Sequence, residues 1–468
     1  MIKIKKIAIR GRMLPWDNHS VKAVLNRNLI GSNTGNLLFF NSVVRALMTD
    51  ADTEFALANP LEGSGRQAAE RADCLVLPFA NAFRRDFNLR AWTDYISSDA
   101  LPPGIPCVVV GIGAQFPPGS AKSGSAALDK DALDFCRAVL KRSASVGVRG
   151  EITYDYLRGL GLRDEEVDII GCPSMFTRGA DLSINLDGIN QVNIKMSGEG
   201  RSSGGQPLRA GDGPVKIAVN GSGFAGPTGA AYRNPPWFLE FLRGALDEYP
   251  GSVFIPQELD EGLAVWQGRR PEGDKFEPSY PHMPDDPVFR QNRVRFFVNA
   301  PSWFDYLKGF DFAVGNRIHG TVAALLSGIP AMLIPTDSRT LELARYHRIP
   351  HIESTETRLD IPDLYRRAIE EIPATESRNR VNFEIFRAFL DKNGLDHIYN
   401  PAKSSFAKTY DGRKSIPYDE KMARVSYAAP VGPFCAATPI EQAVRLESAA
   451  ERVVYRAYRR VMGIRDNV

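Results

Sequence analysis

The sequence predicts an α/β protein made of two Rossmann-like domains facing a cleft, with a helical C-terminal extension. Three observations predict it. The chain has 468 residues, enough for two cores. Short apolar runs alternate with amphipathic ones. One long polar interruption breaks the alternation, which then starts again. Continuous runs such as "CLVLPF" and "CVVVGIG" suit strands covered on both faces, as in a parallel sheet between helix layers.

In order, "KIAIR" reads as a first strand, because charged and aliphatic residues alternate there instead of forming the apolar core of a signal peptide. "GNLLFFNSVVRALM" is a helix, "TEFALA" and "CLVLPF" strands, "PCVVVGIGA" a strand, and "DALDFCRAVLKRSA" a helix. "SVGVRG", "EITYDYLRGLG" and "VDIIGCPSMF" continue the βα repeat. The first domain is expected over 1–194, and a Gly/Ser-rich linker or loop over 195–213. A second βα series then runs over 214–372, through "VKIAVNGSG", "PPWFLEFLRGALDEY", "GSVFIPQE", "VRFFVN", "APSWFDYLKGF", "DFAVGNRIHG", "TVAALLSG", "PAMLIP", "RTLELARYHR" and "PHIES". Within it, "GRRPEGDKFEPSYPHMPDDP" is too polar for an element and reads as a surface insertion over the cleft. Residues 373–468 form the expected helical extension, where Arg452, Arg456, Arg459 and Arg460 share a helix face. That stripe is either a solvated face or a peripheral contact with anionic lipid head groups.

A net charge of +3 gives no global field for nucleic acid, so any anion must be held by locally placed arginines. Cys74, Cys107, Cys136, Cys172 and Cys435 are odd in number and lack zinc or disulfide spacing, which suits reduced thiols in the cytoplasm. No metal site is expected. No window approaches the ~20 apolar residues of a membrane span.

Several short motifs lose their meaning in context. "GSGFAG" (Gly221, Gly223, Gly226) follows a strand but opens no helix, so a dinucleotide pyrophosphate would lack the helix N-terminus it needs; a turn that lets a ligand approach the backbone remains. "GRSSG" lies in the polar linker, without the strand and helix of a nucleophile elbow. Asp50 and Asp52 follow a helix and precede a strand, the wrong end of a βα unit for a ligand.

The informative stretch is "DFAVGNRIHGTVAALLSGIPAMLIPTDSRTLELARYHR". "DFAVG" is a strand, "NRIHG" its C-terminal loop and "TVAALLSG" a short buried helix. Ligands of open parallel sheets lie at these strand ends, and a helix N-terminus there already favours an anion. Arg317 and His319 occupy that junction. One strand later Asp337 or Ser338 caps a helix starting near Arg339, and "VGVRGE" puts Arg149 and Glu151 at a third strand end. Three guanidiniums around a cleft suit a small ligand carrying both carboxylate and phosphate, unless each pairs with a neighbouring acid such as Asp311, Glu151 or Asp337. A loop-end imidazole at position 319 would contribute little to the core.

At these residues the sequence resembles the polysaccharide pyruvyl transferase family, whose pattern is Arg-Leu/Ile-His, a small-residue helix, Gly-x-Pro, an apolar strand and a helix with a basic residue. "GSNTGN", "GIGAQ", "SVGVRGEITYDYLRGLG", "GCPSMF" and "FIPQE" extend the match over about Gly31 to Ile352. The resemblance implies transfer of a ketal-linked pyruvate from phosphoenolpyruvate to a saccharide, on a fold similar to two-domain glycosyltransferases. Phosphoenolpyruvate would be co-substrate, with no separate cofactor, and the acceptor a surface-polysaccharide or lipid-linked glycan precursor. It implies a donor side of Arg149, Arg317, Ile318, His319, Gly320, Asp337, Ser338 and Arg339. Acceptor-side candidates are Asn33, Gly35, Asn36, Gln115 and Glu258, with Asn36 standing where the family usually has an acid. His319, Arg317 and Glu151 are the candidate catalytic residues, and Glu151, Asp337 and Glu258 the candidate bases. A nucleotide-sugar glycosyltransferase and a non-catalytic glycan-binding relative are the alternatives.

Overall fold

The computed structural model describes residues 4–60, 63–115, 125–186, 215–223, 234, 237–267, 277, 280–282, 285–353 and 360–400. The linker expected over 195–213 and the Arg452/Arg456/Arg459/Arg460 stripe lie outside these residues.

Along the chain run β1 (Lys6–Arg10), α1 (Val21–Asn26), α2 (Gly35–Leu47), β2 (Glu54–Ala58), α3 (Gly63–Glu70), β3 (Cys74–Pro78), α4 (Leu89–Ser97), β4 (Cys107–Val110), α5 (Ala126–Leu140), β5 (Val146–Val148), α6 (Glu151–Gly159) and β6 (Val167–Ile169). The second series is β7 (Ile217–Asn220), α7 (Phe238–Glu248), β8 (Val253–Phe254), α8 (Leu259–Gln267), α9 (Pro287–Arg290), α10 (Ala300–Leu307), β9 (Phe312–Gly315), α11 (Ile318–Leu326), β10 (Ala331–Leu333), α12 (Ser338–His347) and α13 (Ile361–Lys392).

All strand pairing within these elements is parallel. The first sheet has the order β2-β1-β3-β4, and a bridge from Ile112 to Val148 joins it to the β5-β6 pair. The second has the order β10-β9-β7-β8. The α/β class and its two parallel halves are therefore as expected. "VRFFVN" and "PHIES", expected as strands, reach the second sheet only through single bridges, Phe254 to Val294 and Leu333 to His351.

The halves are interleaved in a way the expected boundaries miss. Met13, Val21, Val24, Leu25, Leu29 and Ile30 precede the first domain's main helix, yet they pack in the core of the second sheet. In return α13 runs unbroken through Pro373, so no boundary falls there. Its distal half packs on the first: Phe386 stacks on Phe176 with ring centroids 5.0 Å apart, and Asn393 Oδ1 accepts from the Ala144 and Ser145 amides at 3.1 Å each. Apolar side chains on these segments set the pairing, because otherwise the aliphatic face of the first segment and the Phe383, Phe386 and Phe389 rings of α13 would be left in water.

Between the second sheet and α2 of the first half lies α11. Val322, Ala323, Ala324, Leu325 and Leu326 are each at most 1% exposed, so the helix is buried all round, against β9 and β10 on one side and α2 and the Pro173–Phe176 turn on the other. In the second sheet β7 pairs with β8 on one side and β9 on the other, so chain order reverses between β7 and β9. A crevice at the carboxyl ends of those two strands is the topologically expected ligand position, and α11 starts there.

The halves also touch backbone to side chain. The Cys172 amide, in the first half, donates to His347 Nε2 at 2.8 Å, in the second. Gly171 beside it has φ +71°, and a Cβ there would overlap the His347 ring. Gly394 has the same φ but a Cβ would meet nothing within 4 Å. Gly394→Ala is expected to cost about 1–2 kcal/mol for the left-handed backbone alone. Gly171→Ala should cost about 1–3 kcal/mol more through overpacking. Denaturant melts of both variants measure the difference, and equal losses would show that the halves yield at this contact.

Candidate active site

The carboxyl ends of both sheets converge on His319. Arg317 is the N-cap of α11, and its amide donates to Asn220 Oδ1, at the end of β7, at 3.0 Å. Ile318 is 3% exposed and packs into the core. His319 follows in the first turn, 6% exposed, pressed against Gly35, where a Cβ would overlap its ring. The imidazole is thus part of the packed interface, and the expectation of a loop-end ring with little core role is corrected. Gly320 faces inward: a Cβ there would lie 2.6 Å from Asn220 Cγ and 2.7 Å from Gln257 Nε2, so its place is set by close packing.

Arg149, Arg339 and Arg317 all act on His319. Burial, then these three charges in that order, hold its pKa well below the usual imidazole value, so the ring is neutral. The three arginines predicted to share one spot do so, but they differ in their partners. Arg317 Nη2 lies 2.6 Å from Glu258 Oε1, which also accepts from Asn33 Nδ2 at 2.9 Å. Arg339 Nη2 lies 3.2 Å from Asp337 Oδ2. Arg149 is fully buried. Its Nε donates to Gly111 O at 2.9 Å and its guanidinium lies over Phe39, 4.8 Å from the centroid, but Nη1 and Nη2 have no hydrogen-bond partner. Burial, opposed by Cys172, and repulsion from Arg339 lower its pKa to about 10.

Other expected residues take different places. Glu151 begins α6 and is exposed, so it is not the acid beside Arg149. That acid is Glu342 of α12, whose Oε2 and Oε1 accept from the Thr153 amide and hydroxyl at 3.1 and 3.0 Å, across the interface. Glu342 caps α6 from the other half, where Gly150 offers no side chain. Burial raises its pKa to about 7 despite these bonds and Arg149. Asp337 spends its carboxylate structurally: Oδ1 accepts from the Thr340 amide at 2.7 Å as the N-cap of α12 and Oδ2 meets Arg339. Ser338, the first residue of that helix, is 7% exposed.

Of the acceptor-side candidates, Asn33, Gly35 and Glu258 meet at the cluster. Asn36 ties its own loop, donating to Ile30 O and Gly31 O at 3.2 and 2.9 Å. Gln115 accepts from Asn81 Nδ2 at 2.6 Å. Gly221, which opens "GSGFAG", is approached by Tyr280, whose hydroxyl lies 3.0 Å from Gly221 O and also meets the Glu261 carboxyl. Tyr280 is 1% exposed, so this part of the predicted surface insertion is core. Glu261 in turn accepts from the Gln257 and Glu258 amides at 3.0 and 2.7 Å, fixing the loop that presents Glu258 to Arg317, and burial raises its pKa to about 7. Among the described residues no group of three or more His, Cys, Asp and Glu is arranged to hold a metal.

Fold and site together define a parallel α/β protein with a buried cationic centre between two sets of strand ends. A sequence model of the family "Polysaccharide pyruvyl transferase" matches residues 33–338, which include Arg149, Arg317 and His319 and end at the first residue of α12, before Arg339 and Glu342, and the chain belongs to this family. No curated protein matches it in sequence. Among solved structures, HepE of Anabaena in complex with UDP-glucose is 13% identical, with 86% of this chain and 98% of that one covered and a TM-score of 0.36. The UDP-GlcNAc 2-epimerase of Neisseria meningitidis bound to UDP-GlcNAc is also 13% identical, covering 81% and 84% at a TM-score of 0.34. Superpositions this loose carry no functional inference.

Glu342 makes the site pH-sensitive in a defined direction. Its folded pKa of about 7 lies above the unfolded value of 4.5, so the folded state binds more protons between them. Stability from this group therefore falls as pH rises from about 4.5 to 7. Glu342→Gln keeps the shape and removes the proton, so its melting temperature should gain on wild type across that window. A variant that instead loses ground with rising pH would show the carboxylate to be stabilised as an anion.

Proposed function

We propose that the protein transfers a ketal-linked pyruvyl group from phosphoenolpyruvate to a sugar of a glycan precursor. The observation that carries this reading is Arg149, a buried guanidinium with two unpartnered nitrogens beside Arg339, Arg317 and a neutral His319. A buried charge without a partner costs several kcal/mol, and a dianionic or trianionic ligand is the group that offsets it. A phosphomonoester carries about −1.5 to −2 charge at neutral pH and the enol carboxylate adds one. Family membership supplies the pyruvyl chemistry.

The reaction needs C3 of the donor protonated, C2 attacked by one sugar hydroxyl, and phosphate displaced by a second. Two hydroxyl protons enter: one ends on the new methyl group and one leaves with phosphate. The arginines orient the donor and neutralise phosphate as it departs, which is electrostatic stabilisation by preorganised, largely buried charges. Neutral His319 is suited to accept a proton from the attacking hydroxyl.

Two measurements test the donor. Arg149→Met replaces the lone charge with an apolar chain, so the empty protein should melt at the same temperature or higher, while stabilisation by phosphoenolpyruvate disappears. A variant still stabilised by phosphoenolpyruvate, or a wild type stabilised only by UDP- or GDP-sugars, would overturn the assignment in favour of nucleotide-sugar chemistry.

His319→Ala should lower acceptor-dependent phosphate release by ~10²-fold or more. Because the ring is packed, it should also cost about 1–3 kcal/mol of stability. Arg317→Ala should weaken donor binding by about 0.5–1.5 kcal/mol, because the donor must share this guanidinium with Glu258, and high phosphoenolpyruvate partly overcomes the loss. Normal turnover by folded His319→Ala would remove the imidazole from the mechanism.

A further inference from the structure

Cys172 stands apart from the other described cysteines. Cys74, Cys107 and Cys136 sit within elements, and burial pushes Cys107 up to about 12 and the other two upward as well. Cys172 instead follows β6 at the carboxyl end of its sheet, and opens the 3-10 turn Pro173–Phe176. It is 1% exposed. Its Sγ lies 3.8 Å from His319 Nε2 and donates to Ser174 Oγ at 3.4 Å. The His347 ring of the other half fixes its backbone through the 2.8 Å bond from the Cys172 amide. Arg149, with its two unpartnered nitrogens, is close enough for a Cys172 thiolate to stabilise its charge. A thiol, an imidazole and an open guanidinium thus surround one point between the halves.

We propose that Cys172 is the acid that protonates C3 of the enol donor, with His319 returning the proton to it; this rests on the pyruvyl transfer reading above. A neutral imidazole has a lone pair to receive a proton and none to spare for carbon. Glu342 is bonded through both oxygens to Thr153, and Ser174 offers an alcohol, a much weaker acid than a thiol. That leaves the Cys172 thiol as the acid in contact with the base.

The step balances. The S–H bond breaks as the C2=C3 π electrons take the proton to form C3–H, and the thiolate is left beside Arg149. The sugar oxygen bonds to C2 and its proton passes to His319 Nε2. The imidazolium gives that proton to the thiolate, restoring the thiol and the neutral ring. The second hydroxyl then bonds to C2 as the C2–O bond to phosphate breaks, and its proton leaves as hydrogenphosphate. No oxidant or metal is required.

The test follows exchange of the vinyl protons of phosphoenolpyruvate in D2O by proton NMR, with a panel of methyl hexopyranosides present, alongside melting temperature with and without phosphoenolpyruvate. Wild type, Cys172→Ala and Cys172→Ser are compared. Serine keeps the shape and hydrogen bonding but not the acidity, so a structural role predicts that Cys172→Ser behaves as wild type. The proposal expects both variants to lose exchange at least 100-fold, with stabilisation by phosphoenolpyruvate unchanged. Exchange within threefold of wild type in either variant overturns it. Wild type that is stabilised by phosphoenolpyruvate but exchanges no proton overturns the acid assignment and leaves donor binding standing. Wild type that is not stabilised at all overturns the donor reading, and this assignment with it.

Discussion

The buried charge of Arg149 is the constraint around which the centre is arranged. Its side chain is anchored by one bond to the Gly111 carbonyl and one aromatic face, and its two terminal nitrogens point at no acceptor. Nearby groups adjust to a positive charge that cannot leave. His319 stays neutral first because burial penalises its charged form and then because Arg149, Arg339 and Arg317 add repulsion. Glu342, a carboxylate whose charge acts on Arg149, does not fully compensate, since burial holds it at the edge of protonation. The side chains of the centre are therefore short of negative charge.

The fold tolerates that imbalance because the two halves are tied together elsewhere. The chain crosses twice, with α1 in the core of the second sheet and the distal half of α13 packed on Phe176 of the first half, and one apolar cluster runs through both halves, from Ile9 and Val108 to Ala313 and Leu333. Polar contacts then set the spacing at the centre itself. Thr34 donates its amide to Gln257 O at 2.9 Å, and Asn33 reaches Glu258, so the start of α2 is stitched to the loop after β8. Thr153 with Glu342 and Cys172 with His347 do the same from α6 and β6 to α12. Each tie joins a strand end of one sheet to an element of the other, so the geometry that closes the interface is also the geometry that collects the functional side chains.

This explains what the sequence could and could not reveal. Arg149, Arg317, His319 and Arg339 stand at strand-to-helix junctions, and the rule that ligands gather at the carboxyl ends of parallel strands finds them without any knowledge of the fold partner. The same rule, applied to "VDIIGCPSMF", would have singled out Cys172. Glu342 and His347 had no such signal: in "RTLELARYHR" they look like the polar positions of an amphipathic helix, and they become buried only because the other half docks on them. Glu151 failed for a local reason. As the first residue of α6 its side chain turns to solvent, while Thr153, two residues on, turns inward to meet Glu342. Asn36 failed likewise, because its amide closes the loop at Ile30 and Gly31.

The three arginines are chemically alike but energetically different, and the difference assigns them unequal shares of ligand affinity. Arg317 and Arg339 already face Glu258 and Asp337, so an incoming anion must share or displace a carboxylate, and the net gain is the difference between two similar interactions. Arg149 gives up nothing, because its terminal nitrogens have no partner to lose. A ligand oxygen that reaches them removes a standing desolvation penalty as well as forming charge-assisted bonds. The strongest anchor should thus lie deepest, at Arg149, with Arg317 and Arg339 orienting whatever charge remains. That ordering suits a ligand with two unlike anionic groups: one is fixed at the bottom, and the other stays close to paired arginines whose carboxylates can re-form their ion pairs when it departs.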